Sequence, residues 1–122
     1  MGRSSRVKGA GFEREIANLF RDRYGLKAHR GDQRRDGNHE ADADWRGCPW
    51  WIECKRAKTR ADIQGAVRQA EEASAVRPAL VITRRDRDTA LVTMRLTTFL
   101  ALLDHLTRRG GALDRGVFQE LK

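Results

Sequence analysis

Asp44, Glu53 and Lys55 are the residues of this chain whose types and spacing best suit chemistry. They belong to the stretch Asp-Trp-Arg-Gly-Cys-Pro-Trp-Trp-Ile-Glu-Cys-Lys at 44–55. Residues 50–55 are rich in aromatic and β-branched side chains and follow a Gly-Cys-Pro turn, which predicts a short strand. Side chains alternate along a strand, so Trp50, Ile52 and Cys54 point one way and Trp51, Glu53 and Lys55 the other. Asp44, on the preceding extended segment, joins Glu53 and Lys55 across a hairpin. Two carboxylates and a lysine on a rigid sheet edge can hold a hard divalent cation and activate a water beside it.

That preceding segment, 41–46, predicts a strand of its own and carries a second acid, Asp42, on the same face as Asp44. A two-residue turn at Gly47 and Cys48 sets Asp44 opposite Trp51 and Asp42 opposite Glu53. Both carboxylates can then reach a metal. Asp44 is the first choice because it is closer to the turn.

The elements that must position these groups come before and after. A first helix is expected over 9–23, with Phe12, Ile16, Leu19 and Phe20 as its core-facing stripe. Glu13 lies beside that stripe, where it can face a shared site or solvent. Glu15 is further round, and Arg14, Arg21 and Arg23 face solvent or a charged partner. Tyr24 and Gly25 end the helix, and 26–30 predicts the first strand, closing on Arg30. The segment 31–39 is a charged, glycine-containing loop beside the site. Its Arg34 and Arg35 can bind phosphate or be ordinary solvated arginines.

After the central strand, Arg56, Lys58 and Arg60 would line an approach to the site. Thr59 and Asp62 resemble a capping box, opening a helix to about residue 75 on Ile63, Val67, Ala70 and Ser74. Residues 78–83 predict a buried strand. A charged turn at 84–88 leads to a further strand at 90–95. Thr97 is the expected cap of a last helix, with Phe99, Leu100, Leu102, Leu103 and Leu106 as a broad apolar stripe stopped by Gly110 and Gly111. That stripe is wider than a small sheet needs. It can face a second subunit, or the tail at 112–122 with its Leu113, Val117, Phe118 and Leu121.

At 122 residues the chain predicts one domain spanning 1–122, with a flexible basic arm at 1–7 and a C-terminal tail at 112–122. Its formal charge is +8, and of 25 basic residues only Lys8, Lys27, Lys55, Lys58 and Lys122 are lysine. An arginine-dominated excess suits phosphate, because the guanidinium fork binds two oxygens at once. Nucleic acid is therefore the expected partner, against the plainer alternative of a surface kept basic for solubility. Cys48 and Cys54 make no disulfide framework, which fits a reducing cytoplasm. With His39 they lack any CxxC spacing, so zinc is not expected. No long apolar run or signal peptide is seen, so no membrane partner is expected.

The residues Lys8-Gly9, Glu13-Arg14-Glu15, Arg30, Asp44 and Ile52-Glu53-Cys54-Lys55 together resemble the PD-(D/E)XK nuclease superfamily. Within it the likeness is to archaeal-type Holliday junction resolvases and small phage-encoded relatives. Asp-x(n)-Glu-x-Lys alone occurs often by chance, and the upstream Glu-Arg-Glu and Arg30 strengthen it. The resemblance implies an α/β, restriction-endonuclease-like αβββαβ core with a central mixed sheet flanked by helices. It implies a metal-dependent endonuclease cutting branched DNA such as a four-way junction, in the host cytoplasm if phage-encoded. Asp44 and Glu53 would hold Mg2+ or Mn2+, with the Cys54 carbonyl as third ligand and Glu13 reaching the metal directly or through water. Asp42 would serve the longer Asp-to-Glu interval of the archaeal enzymes. Lys55 would orient or deprotonate the water, and Arg30 would grip the phosphate. Arg14, Arg34, Arg35, Arg56, Lys58 and Gln69 would contact DNA, reading its shape rather than its bases. Paired cuts in a junction need two active sites, hence a homodimer.

Overall fold

The structure is a computed structural model that describes residues 3–31, 40–56, 60–74, 76–85 and 88–110. Its elements run α1 (Arg3–Tyr24), β1 (His29–Arg30), β2 (Ala43–Asp44), β3 (Trp51–Lys55), α2 (Arg60–Ser74), β4 (Ala79–Thr83), β5 (Leu91–Thr93) and α3 (Leu96–Arg108). The first six form the αβββαβ order expected from the sequence, and β5 and α3 extend it. Five strands make one sheet in the order β1-β2-β3-β4-β5. β3 and β4 are parallel, with Glu53 beside Val81 and Lys55 beside Thr83, and the other pairs are antiparallel. A parallel pair needs a crossover, and α2 supplies it.

The sheet carries a core on each face. Phe12, Ile16 and Ala17 of α1 pack with Ala43, Ile52, Leu80 and Ile82 on one side. Ala66, Val67 and Ala70 of α2 pack with Trp51, Ala79 and Val81 on the other. The small alanines of α2 let the helix lie close to the strands. Ile52 is fully buried, so truncating it to alanine should cost about 2–5 kcal/mol. All five residues of β4 are buried, as its apolar run predicts.

Four local readings of the sequence are corrected. α1 starts at Arg3, not Gly9, so the expected arm is helical from residue 3 onward. Glycine inside a helix costs only about 1 kcal/mol, and Gly9 and Gly11 do not stop it. Leu19 is 52% exposed and Ala17 takes its place in the core, because α1 leans toward the β1 side of the sheet. The N-cap of α3 is Arg95 in extended conformation without a side-chain capping bond, so Thr97 lies inside the helix.

The fourth correction is the β2–β3 hairpin. It is longer than a two-residue turn: the Cys48 N–H donates to the Trp45 carbonyl, and Gly47 takes φ +85°, a left-handed value suited to glycine. The expected register does hold at Ala43 and Ile52. Yet the Asp42 N–H also donates to the Ile52 carbonyl, so two residues meet one. This is a β-bulge, and it interrupts the alternation of side chains. Ala41 accordingly packs with the Trp51 cluster while Ala43 packs with the Ile52 cluster on the opposite face. Asp42 and Asp44, expected on one face, are thereby separated.

Candidate active site

Asp42 is held from several sides. Its N–H donates to Ile52, its carbonyl accepts from the Gly31 N–H at 3.0 Å, and its Oδ2 accepts from the Cys54 N–H at 2.9 Å. The Gly31 contact admits no larger residue, since a Cβ there would lie 1.7 Å from the Ala41 carbonyl oxygen. Only 7% of Asp42 is exposed.

Glu13 comes to the same place from α1. Its carboxylate accepts from Arg30 Nε, which joins two of the residues expected in the site. Burial and then the negative charge of Asp42 raise the Glu13 carboxyl above its ordinary value, while Arg30 pulls it back down. Glu53 reaches the region from β3 and accepts a 2.7 Å bond from the Trp51 indole N–H, its neighbour on the same strand face. The thiol of Cys54 is pushed well up by burial and then by Asp42, Glu13 and Glu53. The charges of all three carboxylates are thus felt at Cys54, and Asp42 also bonds its backbone N–H. Lys55, half-buried, ends β3 on the same face as Glu53.

The family described as "Phage putative PDDEXK endonuclease" matches residues 4–115. The chain belongs to this family. This places it in the phage-related branch of the PD-(D/E)XK nucleases, and its α/β mixed sheet agrees. Neither the curated proteins nor the solved structures gave a match to the chain.

Asp44 of this endonuclease lies elsewhere. Its carboxylate pairs with Arg77 Nη1 at 3.1 Å, and the same nitrogen donates to the carbonyls of Cys48 and Trp50. The Arg77 guanidinium also stacks over the Trp51 ring, 5.1 Å from its centroid. Asp44 and Arg77 form a tie that closes the hairpin. Arg77 was not foreseen, because its partner is 33 residues away and no local pattern signals the pair. The Trp51 bond to Glu53 was open to sequence reasoning, since the two share a strand face two residues apart.

Of the expected DNA contacts, Arg14 is exposed on α1, Arg56 follows β3 at the surface, and Gln69 is exposed on α2. Arg34, Arg35, Lys58, His39 and the Thr59 cap lie outside the described residues. No helix among the described residues is long and apolar enough to cross a membrane.

The donor chemistry fits a hard cation: three carboxylates and the Cys54 carbonyl offer oxygen only. Among the described residues, no three of His, Cys, Asp or Glu are drawn together tightly enough to count as a metal cluster. Glu13 is turned to Arg30 and Glu53 to Trp51, so each must leave its partner to share an ion with Asp42. The repulsion between Glu13 and Asp42 is what a cation relieves.

Proposed function

We propose that this endonuclease is a divalent-metal-dependent enzyme for branched DNA, a four-way junction foremost, hydrolysing phosphodiesters in paired strands. The observation that carries this is that the charges of Glu13, Asp42 and Glu53 all act on Cys54, with Lys55 at the end of the same strand. Asp42 is preferred to Asp44 as the motif aspartate, because Asp44 is already neutralised by Arg77. Mg2+ or Mn2+, when bound, would supply charge stabilisation at the phosphate and acidify a water.

Each residue then has a task. Asp42, fixed by the bulge, and Glu53 present oxygens to the ion, with the Cys54 carbonyl between them. Glu13 helps position the ion or its water. Lys55 orients the attacking water and offsets charge on the phosphate oxygens. Arg30, released from Glu13, binds the phosphate through its fork. The net charge of +8 steers the polyanion without reading bases.

Cutting a junction in two strands requires two such sites, and a two-fold homodimer supplies them. The surface for it is α3 with β5: no residue of α3 is buried among the described residues, and Leu91, Val92, Leu96, Phe99 and Leu100 are exposed. A cleavage assay on a labelled mobile four-way junction beside linear duplex tests the reading. Cleavage of the junction in Mg2+ or Mn2+, abolished by EDTA, with light scattering near twice 13.9 kDa, is expected. Full activity in EDTA overturns the metal role. Equal cutting of linear duplex, or of flaps and nicks in preference, overturns the junction. A monomer that resolves junctions overturns the dimer.

A further inference from the structure

Glu13 and Glu15 are about 200° apart around α1, so they leave it on opposite flanks. Each carries an arginine: Glu13 holds Arg30 beside the candidate site, and Glu15 holds Arg84 on the far flank. The second pair lies in a groove of about 510 Å³ lined by Gly11, Arg14, Glu15, Asn18, Arg84 and Ala90 among others. We propose that this groove is a second phosphate-binding site of the nuclease, in which a DNA backbone phosphate displaces the Glu15 carboxylate from the Arg84 guanidinium.

Three observations support it. Arg84 is already set for a two-oxygen anion: Nη1 and Nη2 donate to the two Glu15 oxygens at 2.6 and 2.7 Å, and the guanidinium stacks 4.7 Å over the Phe12 ring. Phosphate presents oxygens to that fork as a carboxylate does. The present occupant is also easily exchanged. The Glu15 side chain is 55% exposed, so water screens its hold on the guanidinium. The position is right as well. Thr83 stands beside Lys55 in the parallel register, so Arg84 leaves the sheet at the edge where Lys55 ends β3. DNA reaching Lys55 runs past this edge, and α1 stands between two arginine forks. Asp22 is a further acid in the groove, along the helix from Glu15.

This role rests on the nuclease reading above, and a binding measurement in EDTA separates the two. The plainer alternative is that Glu15 and Arg84 only tie α1 to the end of β4. Then losing either partner removes the same tie, and both variants bind DNA more weakly alongside a lowered Tm. Displacement by phosphate instead requires opposite signs.

Fluorescence anisotropy of a labelled four-way junction, from roughly 50 to 200 mM salt, should show Arg84→Gln binding several-fold more weakly with a salt slope lowered by about 0.9. Glu15→Gln should bind several-fold more tightly, because the competitor is gone. Arg84→Lys, which keeps the charge, should retain most of the slope. If wild type binds with steep salt dependence and Arg84→Gln matches it, the groove is not a contact and the nuclease reading stands. Weakening by both Glu15→Gln and Arg84→Gln also overturns the displacement. If wild type binds no DNA even at low salt, both readings fail.

Discussion

The two ends of the short strand β2 carry the same residue under opposite conditions. Asp44, at the hairpin end, has an arginine across from it, and that arginine also satisfies two carbonyls and covers a tryptophan. Asp42, one pleat earlier, is more buried, feels the charge of Glu13 and accepts from the Cys54 N–H. Folding alone does not favour a buried acid beside another acid, because desolvation and like charge both oppose it. An acid matched with a base holds the fold together.

The comparison breaks most sharply at Asp42. Asp42→Asn should lower cleavage at least about a thousandfold, the loss of several kcal/mol of charge stabilisation in the transition state. It should leave DNA binding intact or tighter, with Tm unchanged or raised, because the repulsion with Glu13 is relieved. Single-turnover cleavage, anisotropy and thermal melting on one preparation check all three. An active Asp42→Asn protein would return the role to Asp44.

Gly31→Ala tests whether the bulge places Asp42. The added methyl collides with the Ala41 carbonyl, so β1 must shift and release the bond to Asp42. A destabilisation of roughly 2 kcal/mol is expected from the displaced backbone, with cleavage falling further than stability explains. Urea unfolding with cleavage measured well below the midpoint separates the two effects.

The smallest effect is expected at the other end of the strand. Asp44→Asn should cost about 1–2 kcal/mol, since both partners are only about a quarter exposed. Cleavage by the folded protein should stay within about threefold of wild type, a change under about 1 kcal/mol in the barrier. Loss of cleavage without loss of stability would invert the comparison.

What could be read in the sequence was what local pattern controls. The alternation along 51–55, the buried run of β4, Val67 and Ala70 on the core face of α2 and the pairing of Ala43 with Ile52 all follow from periods of two and 3.6. The Glu13, Arg30 and Glu53-Cys54-Lys55 motifs were visible as residue types in order. The split of Asp42 from Asp44 was hidden, because nothing at 41–44 announces a bulge. Its cause includes Gly31, which meets Ala41 only once the strands are paired. Arg77 and Arg84 were hidden for the same reason, as partners 33 and 69 residues distant. The start of α1 was missed by treating glycine as a boundary, and the cap of α3 by trusting the nearest threonine.

The position of Arg77 has a consequence for the order in which a ribosome makes this chain. Every residue of the candidate catalytic set, from Glu13 to Lys55, has been synthesised before Arg77 and β4 exist. Until then β3 is an edge without its parallel neighbour, and the hairpin lacks the guanidinium that fastens Asp44 to Cys48 and Trp50. Contacts so distant in sequence form late, after the intervening chain has closed its loop. The nascent chain therefore carries its candidate catalytic residues for a time without the frame that aligns them.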